Sequence, residues 1–258
     1  MINPMSLANR TIVVTGAAQG IGLAICKLVV ELGGNAVGVD VSGESLDKAK
    51  ESVGAGRFLP VVGSVTDPEV ARTAVKAAVA AYGAVHGLVN NAGISRPSMI
   101  EKMTLGNWQS VIDVHVNGSF HFTQAIGQHM IERTKAGERD PGAIVFVSSD
   151  AGRRGSLGQI NYSAAKSAMF GMSMTVAREW ARHNIRANAV CFGVVETAMT
   201  ETVRSDDRFR EKYLEQIPLG RWCTPQEAAA PTVFLLSSAA SYITGQILSV
   251  NGGYTIAV

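Results

Sequence analysis

Charge is scarce in this chain. Of its 258 residues only 17% are Asp, Glu, Lys or Arg, nearly balanced at 21 acidic against 23 basic, and no five like charges run together. A surface so thinly and evenly charged gives no electrostatic footprint for nucleic acid or an acidic lipid surface. Cysteine is scarcer still. Cys26, Cys191 and Cys223 are odd in number and far apart, which argues against a disulfide framework and against a thiolate metal site. The histidines His86, His121, His129 and His183 do not cluster with acids or cysteines, so no metal site is expected. No segment reaches the roughly eighteen uninterrupted apolar residues of a membrane helix, and the opening MINPMSLANR has no apolar stretch of signal-peptide length. The expectation is a protein that works in a reducing cytoplasm.

Apolar residues are plentiful, at 47%, and suffice for one large core, so residues 1–258 read as a single domain. Short Val- and Ile-rich runs alternate with longer segments of helical period. Strands are expected at 11–16, 35–40, 58–63, 86–91, 143–149, 185–190 and 247–252, and helices near 20–33, 43–53, 67–82, 104–134, 161–183 and 225–237. Strands apolar on both alternating sets must be covered on both faces. The pattern predicts an α/β fold of three layers, a doubly wound parallel seven-stranded sheet with helices on both faces and ligands at the carboxyl ends of the strands. The polar, partly helical stretch at about 193–224 contains no strand, and is the candidate lid.

TGAAQGIG, Thr15 to Gly22, follows the first strand and opens a helix. Gly16, Gly20 and Gly22, with Gln19 and Ile21 between them, lie where backbone amides and a helix N-terminus can receive a pyrophosphate. A tight strand-to-helix turn would need the same glycines. Asp40, 18 residues after Gly22 at the end of the second strand, adds weight. A carboxylate there can accept both ribose hydroxyls of an adenosine and repels a 2′-phosphate. Neither Gln19 nor Val41 supplies a cation for such a phosphate, so NAD(H) is expected over NADP(H).

In NYSAAK, Tyr162 and Lys166 stand four apart on one helix face. An adjacent ammonium favours the phenolate and lowers a tyrosine from its usual pKa of about 10, making Tyr162 a candidate general acid or base for a carbonyl and its alcohol. Ser149 ends the fifth strand, where its hydroxyl can donate to a substrate oxygen, or simply form a turn or cap.

In order, TGAAQGIG, NNAG at 90–93, Ser149 with Tyr162 thirteen residues on, and Tyr162-x-x-x-Lys166 resemble the short-chain dehydrogenase/reductase family. The likeness runs essentially the whole chain, to SYITGQILSVNGGY at 241–254. It implies a Rossmann fold, a nicotinamide cofactor, and hydride transfer between its C4 and a carbonyl or carbinol carbon. It implies Tyr162 as acid/base, Ser149 positioning the substrate oxygen, and Lys166 holding the nicotinamide ribose and depressing the Tyr162 pKa. NNAG, through Asn90, Ala92 and Gly93, would shape the floor of the cofactor site. Thr197 in VVETAM would hold the carboxamide end, with Val195 adding main-chain contacts. The likeness is greatest to 3-oxoacyl-(acyl-carrier-protein) reductases and 3-hydroxyacyl dehydrogenases. It also extends to alcohol, sugar and steroid dehydrogenases. A different class of role, a non-catalytic NAD-binding regulatory or scaffolding protein, is disfavoured by the intact Ser149, Tyr162 and Lys166. A homotetramer is implied through the long helices at 104–134 and 161–183. For an acyl-carrier partner the candidate basic rim is Arg133, Lys135, Arg139, Arg153, Arg154 and Arg182, residues that ordinary solvated surface explains more readily.

Three positions depart from the family pattern. Phe192-Gly193 replaces a Pro-Gly pair, and Ser64, followed by Val65, stands where an acid commonly faces the adenine. His115 occupies the place of the catalytic asparagine, three before Gly118, although Asn117 lies two residues away. At about 100° per residue the two point to different helix faces, His115 with an apolar stripe and Asn117 with a polar one. The histidine is therefore expected to face inward, as a core residue or as a keeper of the proton relay through its main-chain carbonyl, with the imidazole adding a titrating step.

Overall fold

In a computed structural model of the protein, which describes residues 3–54 and 56–256, all seven expected strands form. They are β1 (Thr11–Thr15), β2 (Asn35–Asp40), β3 (Phe58–Val62), β4 (Gly87–Asn90), β5 (Gly142–Ser149), β6 (Ile185–Phe192) and β7 (Ile247–Val250). All pair in parallel in one sheet of order β3-β2-β1-β4-β5-β6-β7. The helices, in chain order, are α1 (Gly20–Glu31), α2 (Gly43–Val53), α3 (Pro68–Tyr82), α4 (Leu105–Ile112), α5 (Gly118–Lys135), α6 (Ala151–Arg154), α7 (Ile160–Trp180), α8 (Glu201–Ser205), α9 (Asp207–Glu215) and α10 (Pro225–Leu236).

Every residue of β1 and β4 is buried, because the sheet is covered on both sides. On one face Ile25 and Val29 of α1, Leu46 of α2 and Val233 and Leu236 of α10 pack on the strands. On the other, Ala74 of α3, Phe122 and Ile126 of α5 and Met169 of α7 do so. Side-chain caps set the starts of several helices: Ser42 accepts from the Ser45 amide before α2, and Asp67 from Glu69 before α3. Thr224 and Glu227 form a capping box around Pro225 at α10.

The expected helix 104–134 is not uniform. Between α4 and α5, Asp113–Asn117 forms a π-helical turn in which the Gly118 amide reaches back five residues to the Asp113 carbonyl. A period-based reading of the sequence has no signal for that inserted residue. The expected helix 161–183 finishes as a 3₁₀ turn at Ala181–His183. The candidate lid holds α8 and α9, and α9 is anchored by aromatic contact. The Tyr213 ring stacks on Tyr254 with centroids 5.9 Å apart, and the Arg154 guanidinium lies 4.0 Å from the Tyr254 centroid.

Candidate active site

The strand order reverses between β1 and β4, and a cleft opens there at the carboxyl ends of the strands. Thr15 ties its two lips together: its hydroxyl accepts the amides of Asn91 and Ala92, each at 3.0 Å. The Asn91 side chain donates to the Thr15 and Gly16 carbonyls in return. The cleft is about 410 Å³ and runs from the glycine loop past Asp40 to Ser149, Tyr162 and Lys166.

Of the residues expected to hold a cofactor, Gly16, Gln19, Gly20, Ile21, Asp40, Ser64, Val65, Ala92, Gly93, Tyr162, Lys166, Val195 and Thr197 line this cleft. Two do not. Gly22 lies beneath the loop, where a Cβ would come within 2.1 Å of the Gly16 carbonyl oxygen, so it permits the turn without lining it. Asn90 turns away from the cleft and donates to Thr123 of α5 at 3.0 Å, leaving Asn91 as the lining asparagine. Alternation along β4 carries one asparagine of NNAG behind the wall, a distinction that motif matching does not make.

The cradle fits a dinucleotide. Gln19 makes no side-chain cap to α1, and no acid sits in its first turn, so the leading amides of that helix face the cleft without a side-chain acceptor. A Cβ at Gly16 would come within 2.9 Å of the Ala92 backbone, which is why the main chain can approach so closely. Asp40 accepts from the Ala18 amide at 3.1 Å and the Ser42 amide at 3.2 Å, fixing its carboxylate at the rim. Ser64 accepts from the Thr66 amide, and Val65 packs on the bare Gly118. Thr197 forms a capping box with Thr200 at the root of the lid, with its methyl beside Gly20.

Tyr162 and Lys166 project together from α7 behind Ser149, the last residue of β5. Ser149 also accepts from the Ala151 amide at 3.3 Å, so the turn-forming role and the cleft position coexist. The electrostatics differ from expectation. Burial pushes the Tyr162 phenol up to about 12, with hydrogen bonding to Ser149 opposing it. The Lys166 ammonium donates to the Val147 carbonyl at 2.8 Å and sits 5.5 Å from the Tyr162 ring centroid, while burial pulls it down to about 8.

His115 faces inward as expected, 1% exposed, while Asn117 is exposed and donates to Asp113. Its Nε2 lies 3.0 Å from the Ile94 amide nitrogen and 2.9 Å from the Ile94 carbonyl oxygen. Burial, then the charge of Lys166, push the imidazole down to about 3, so it carries no titrating proton near neutrality. Phe192 is buried at the end of β6 and lines the cleft, taking over as wall where a proline was expected.

The expected basic rim does not surround the cleft of its own chain. Arg133 and Lys135 end α5 and Arg139 precedes β5, which places them with Arg182 at the amino edge of the sheet, opposite the cleft. Arg133 is taken up by Glu138 and the Val85 and Pro141 carbonyls. Arg153 donates to the Ile247 carbonyl, and Arg154 to Tyr254. The expected strand bounds already set Arg133, Lys135, Arg139 and Arg182 just before a strand of a parallel sheet, hence at its amino edge, a consequence the candidate rim did not take into account. Among the described residues, no group of His, Cys, Asp and Glu is placed to hold a metal ion.

Residues 16–255 match the family model described as enoyl-(acyl carrier protein) reductase. The chain is 41% identical over 254 residues to a 3-oxoacyl-[acyl-carrier-protein] reductase of Thermotoga maritima, covering 98% of this chain and 100% of the relative. It is 39% identical to an acetoacetyl-CoA reductase of Synechocystis, covering 97% and 98%. A crystal structure of a gluconate 5-dehydrogenase from Burkholderia cenocepacia, in complex with NADP and tartrate, superposes with a TM-score of 0.91 at 30% identity, covering 99% and 98% of the two chains. Likeness of sequence and of fold over nearly the full length coincides with the Ser149, Tyr162 and Lys166 constellation at the carboxyl edge of the sheet. The chain belongs to the short-chain dehydrogenase/reductase family, and it is an oxidoreductase.

Proposed function

We propose that this protein reduces 3-oxoacyl thioesters with NADH. The observation that carries the reading is the convergence of Ser149, Tyr162 and Lys166 on one end of a cleft whose other end is a glycine cradle closed by Asp40. A bound nicotinamide would supply a hydride to the carbonyl carbon. The protein binds, orients and moves a proton. Ser149 donates to the substrate oxygen, and Tyr162, held neutral by burial, donates the proton that completes the alcohol. Lys166, 5.5 Å from the Tyr162 ring centroid, would hold the nicotinamide ribose and return protons towards Tyr162. Asp40 takes the adenosine ribose hydroxyls, the amides at the start of α1 take the pyrophosphate, and Thr197 takes the carboxamide end.

The preference for NAD(H) rests on Asp40 and on the cations of the cleft, where Lys166 is the single Lys or Arg among the described lining residues. The thioester preference rests on the reductase relatives. A second reading, NAD-dependent oxidation of a 3-hydroxyacyl, alcohol or sugar substrate, draws on Asp40 for the cofactor and on the gluconate 5-dehydrogenase neighbour, itself an NADP complex, for the substrate class alone. The exposed Phe120 of α5 and Met174 of α7, and an edge strand β7 that is only half-buried throughout, support assembly into a homotetramer. Light scattering at the mass of one chain would refute that. No described helix is long and apolar enough to cross a membrane, and the three free cysteines fit a reducing cytoplasm.

The test is an initial-rate panel of acetoacetyl thioesters, simple ketones, sugars and secondary alcohols with each dinucleotide. The thioester with NADH is expected to give the highest kcat/KM. A higher value with NADPH would overturn the cofactor assignment, and a higher value with a sugar or alcohol would favour oxidation.

A further inference from the structure

The imidazole of His115 touches two parts of the cleft. Its Nε2 meets the main chain of Ile94, and its ring lies edge-on to Tyr162, with centroids 5.4 Å apart and planes at 90°. Between these contacts the ring occupies the space over Gly93. A Cβ built on Gly93 would lie 2.3 Å from the His115 Cε1, and its three nearest neighbours are all atoms of that ring. Gly93 has no positive φ, so its backbone would accept a side chain. It is the histidine, rather than the turn, that requires glycine there. His115 lies within the π turn between α4 and α5 and is buried there, while Asn117 of the same turn is exposed.

We infer that His115 is a positioning residue, a neutral clamp that joins the Gly93–Ile94 floor of the cofactor cleft to the ring of Tyr162 and takes no part in proton transfer through its imidazole. The inference rests on the reductive reading of the site.

Hydrogen-bonding chemistry supports a neutral ring. With the proton on Nδ1, Nε2 accepts the Ile94 amide; with the proton on Nε2, it donates to the Ile94 carbonyl. Either tautomer satisfies Nε2 by itself. An imidazolium would add a second buried N–H and a charge facing Lys166. Tyr162 and Lys166 of α7 are the titratable groups beside the ring, and Ile94 meets its Nε2 through the main-chain amide and carbonyl. Burial of the ring keeps the charged form disfavoured throughout the working range. An aromatic edge against the phenol also limits ring rotation of Tyr162, which is what a proton donor needs to hold its geometry.

The inference separates two functions that a histidine at this place invites one to merge. A relay residue must gain and lose a proton, and removing its imidazole changes the pH dependence of turnover. A clamp must keep shape, and any side chain that reaches Ile94 restores it. Asparagine can both donate to and accept from that main chain.

The test uses the full chain and four variants: His115→Ala, His115→Asn, Gly93→Ala and the double variant Gly93→Ala/His115→Ala. NADH affinity is read by fluorescence titration, together with kcat and its pH profile. His115→Ala is expected to weaken NADH binding and lower kcat by at least about tenfold, without moving any inflection of the pH profile. His115→Asn is expected to recover most of that loss, with the same profile. Gly93→Ala is expected to weaken NADH binding by itself, and adding His115→Ala is expected to relieve part of the defect, because the clashing ring has gone. Recovery by Asn with an unmoved profile supports the clamp. Failure of Asn together with a lost or shifted inflection shows that the imidazole carries protons, and overturns it. Unchanged NADH affinity and kcat in His115→Ala also overturn it. If the wild type reduces no thioester, the reductive reading fails, and the NADH-binding arm of the Gly93 and His115 pair still decides whether the ring couples to the floor.

Discussion

At the scale of single residues, the chemistry of the cleft depends on a few side chains whose surroundings oppose their usual behaviour. Tyr162 is pushed up to about 12 and Lys166 down to about 8, both chiefly by burial. The phenol is thus a reservoir for one proton at neutral pH, suited to protonating an alkoxide. Asp40 decides the cofactor. Replacing it by serine removes the charge that repels a 2′-phosphate and one strong acceptor for the ribose. Asp40→Ser is expected to raise the KM for NADH about tenfold, equivalent to about 1.4 kcal/mol, and to narrow or invert the ratio of kcat/KM for NADH over NADPH. An unchanged ratio would mean that Asp40 does not read the ribose. The serine, tyrosine and lysine were legible through the family resemblance, since spacing alone left Ser149 open to a turn or cap role. The choice of Asn91 over Asn90 was not, because it depends on which neighbour follows the last paired residue of β4.

At the scale of elements, the seven strands and the main helices followed from apolar periodicity, most ends to within about two residues, while the short α6 was not expected. The exceptions have physical causes. The π turn at Asp113–Asn117 inserts a residue that leaves the composition of the helix face nearly unchanged, so the pattern does not record it. The inward placement of His115 survives the insertion, since its apolar neighbours Val111, Gly118 and Phe122 are buried with it. Close packing of α5 on α7 was equally invisible. Gly127 sits under Trp180, and a Cβ there would lie 2.1 Å from the indole Cη2. Gly127→Ala must displace that ring, at a cost of about 1–3 kcal/mol for overpacking. Denaturant unfolding should show a lower midpoint with an unchanged m-value, whereas an equal or higher midpoint would show that the helices part freely.

At the scale of the whole molecule, the doubly wound topology explains why one cleft collects residues as distant in sequence as Gly16 and Thr197: the order reverses between β1 and β4, and every strand ends on the same edge. The opposite edge has its own use of buried polar groups. His86 accepts the Thr11 amide and His129 the Val85 amide, and burial lowers both, His86 to about 4. With His115, these histidines are neutral in the folded chain at pH values where the unfolded chain has begun to protonate them. Their contribution to stability is complete above about pH 6.5 and is lost as pH falls towards the folded values. The raised carboxyl of Asp150 acts in the reverse sense, as a smaller counterweight. Between about pH 7 and pH 5 the urea midpoint is expected to fall. His86→Asn, which keeps an acceptor for Thr11, is expected to flatten that slope; an unchanged slope would place the acid sensitivity elsewhere.

The central claim is that Tyr162 donates the proton in an NADH-dependent carbonyl reduction. The most direct measurement compares the wild type with Tyr162→Phe for turnover of an acetoacetyl thioester, alongside NADH affinity measured on both. Removing one hydroxyl is expected to reduce kcat by roughly 10²–10⁴-fold, with NADH affinity unchanged within about threefold. A Tyr162→Phe protein that turns over at the wild-type rate while binding NADH equally well would contradict the account.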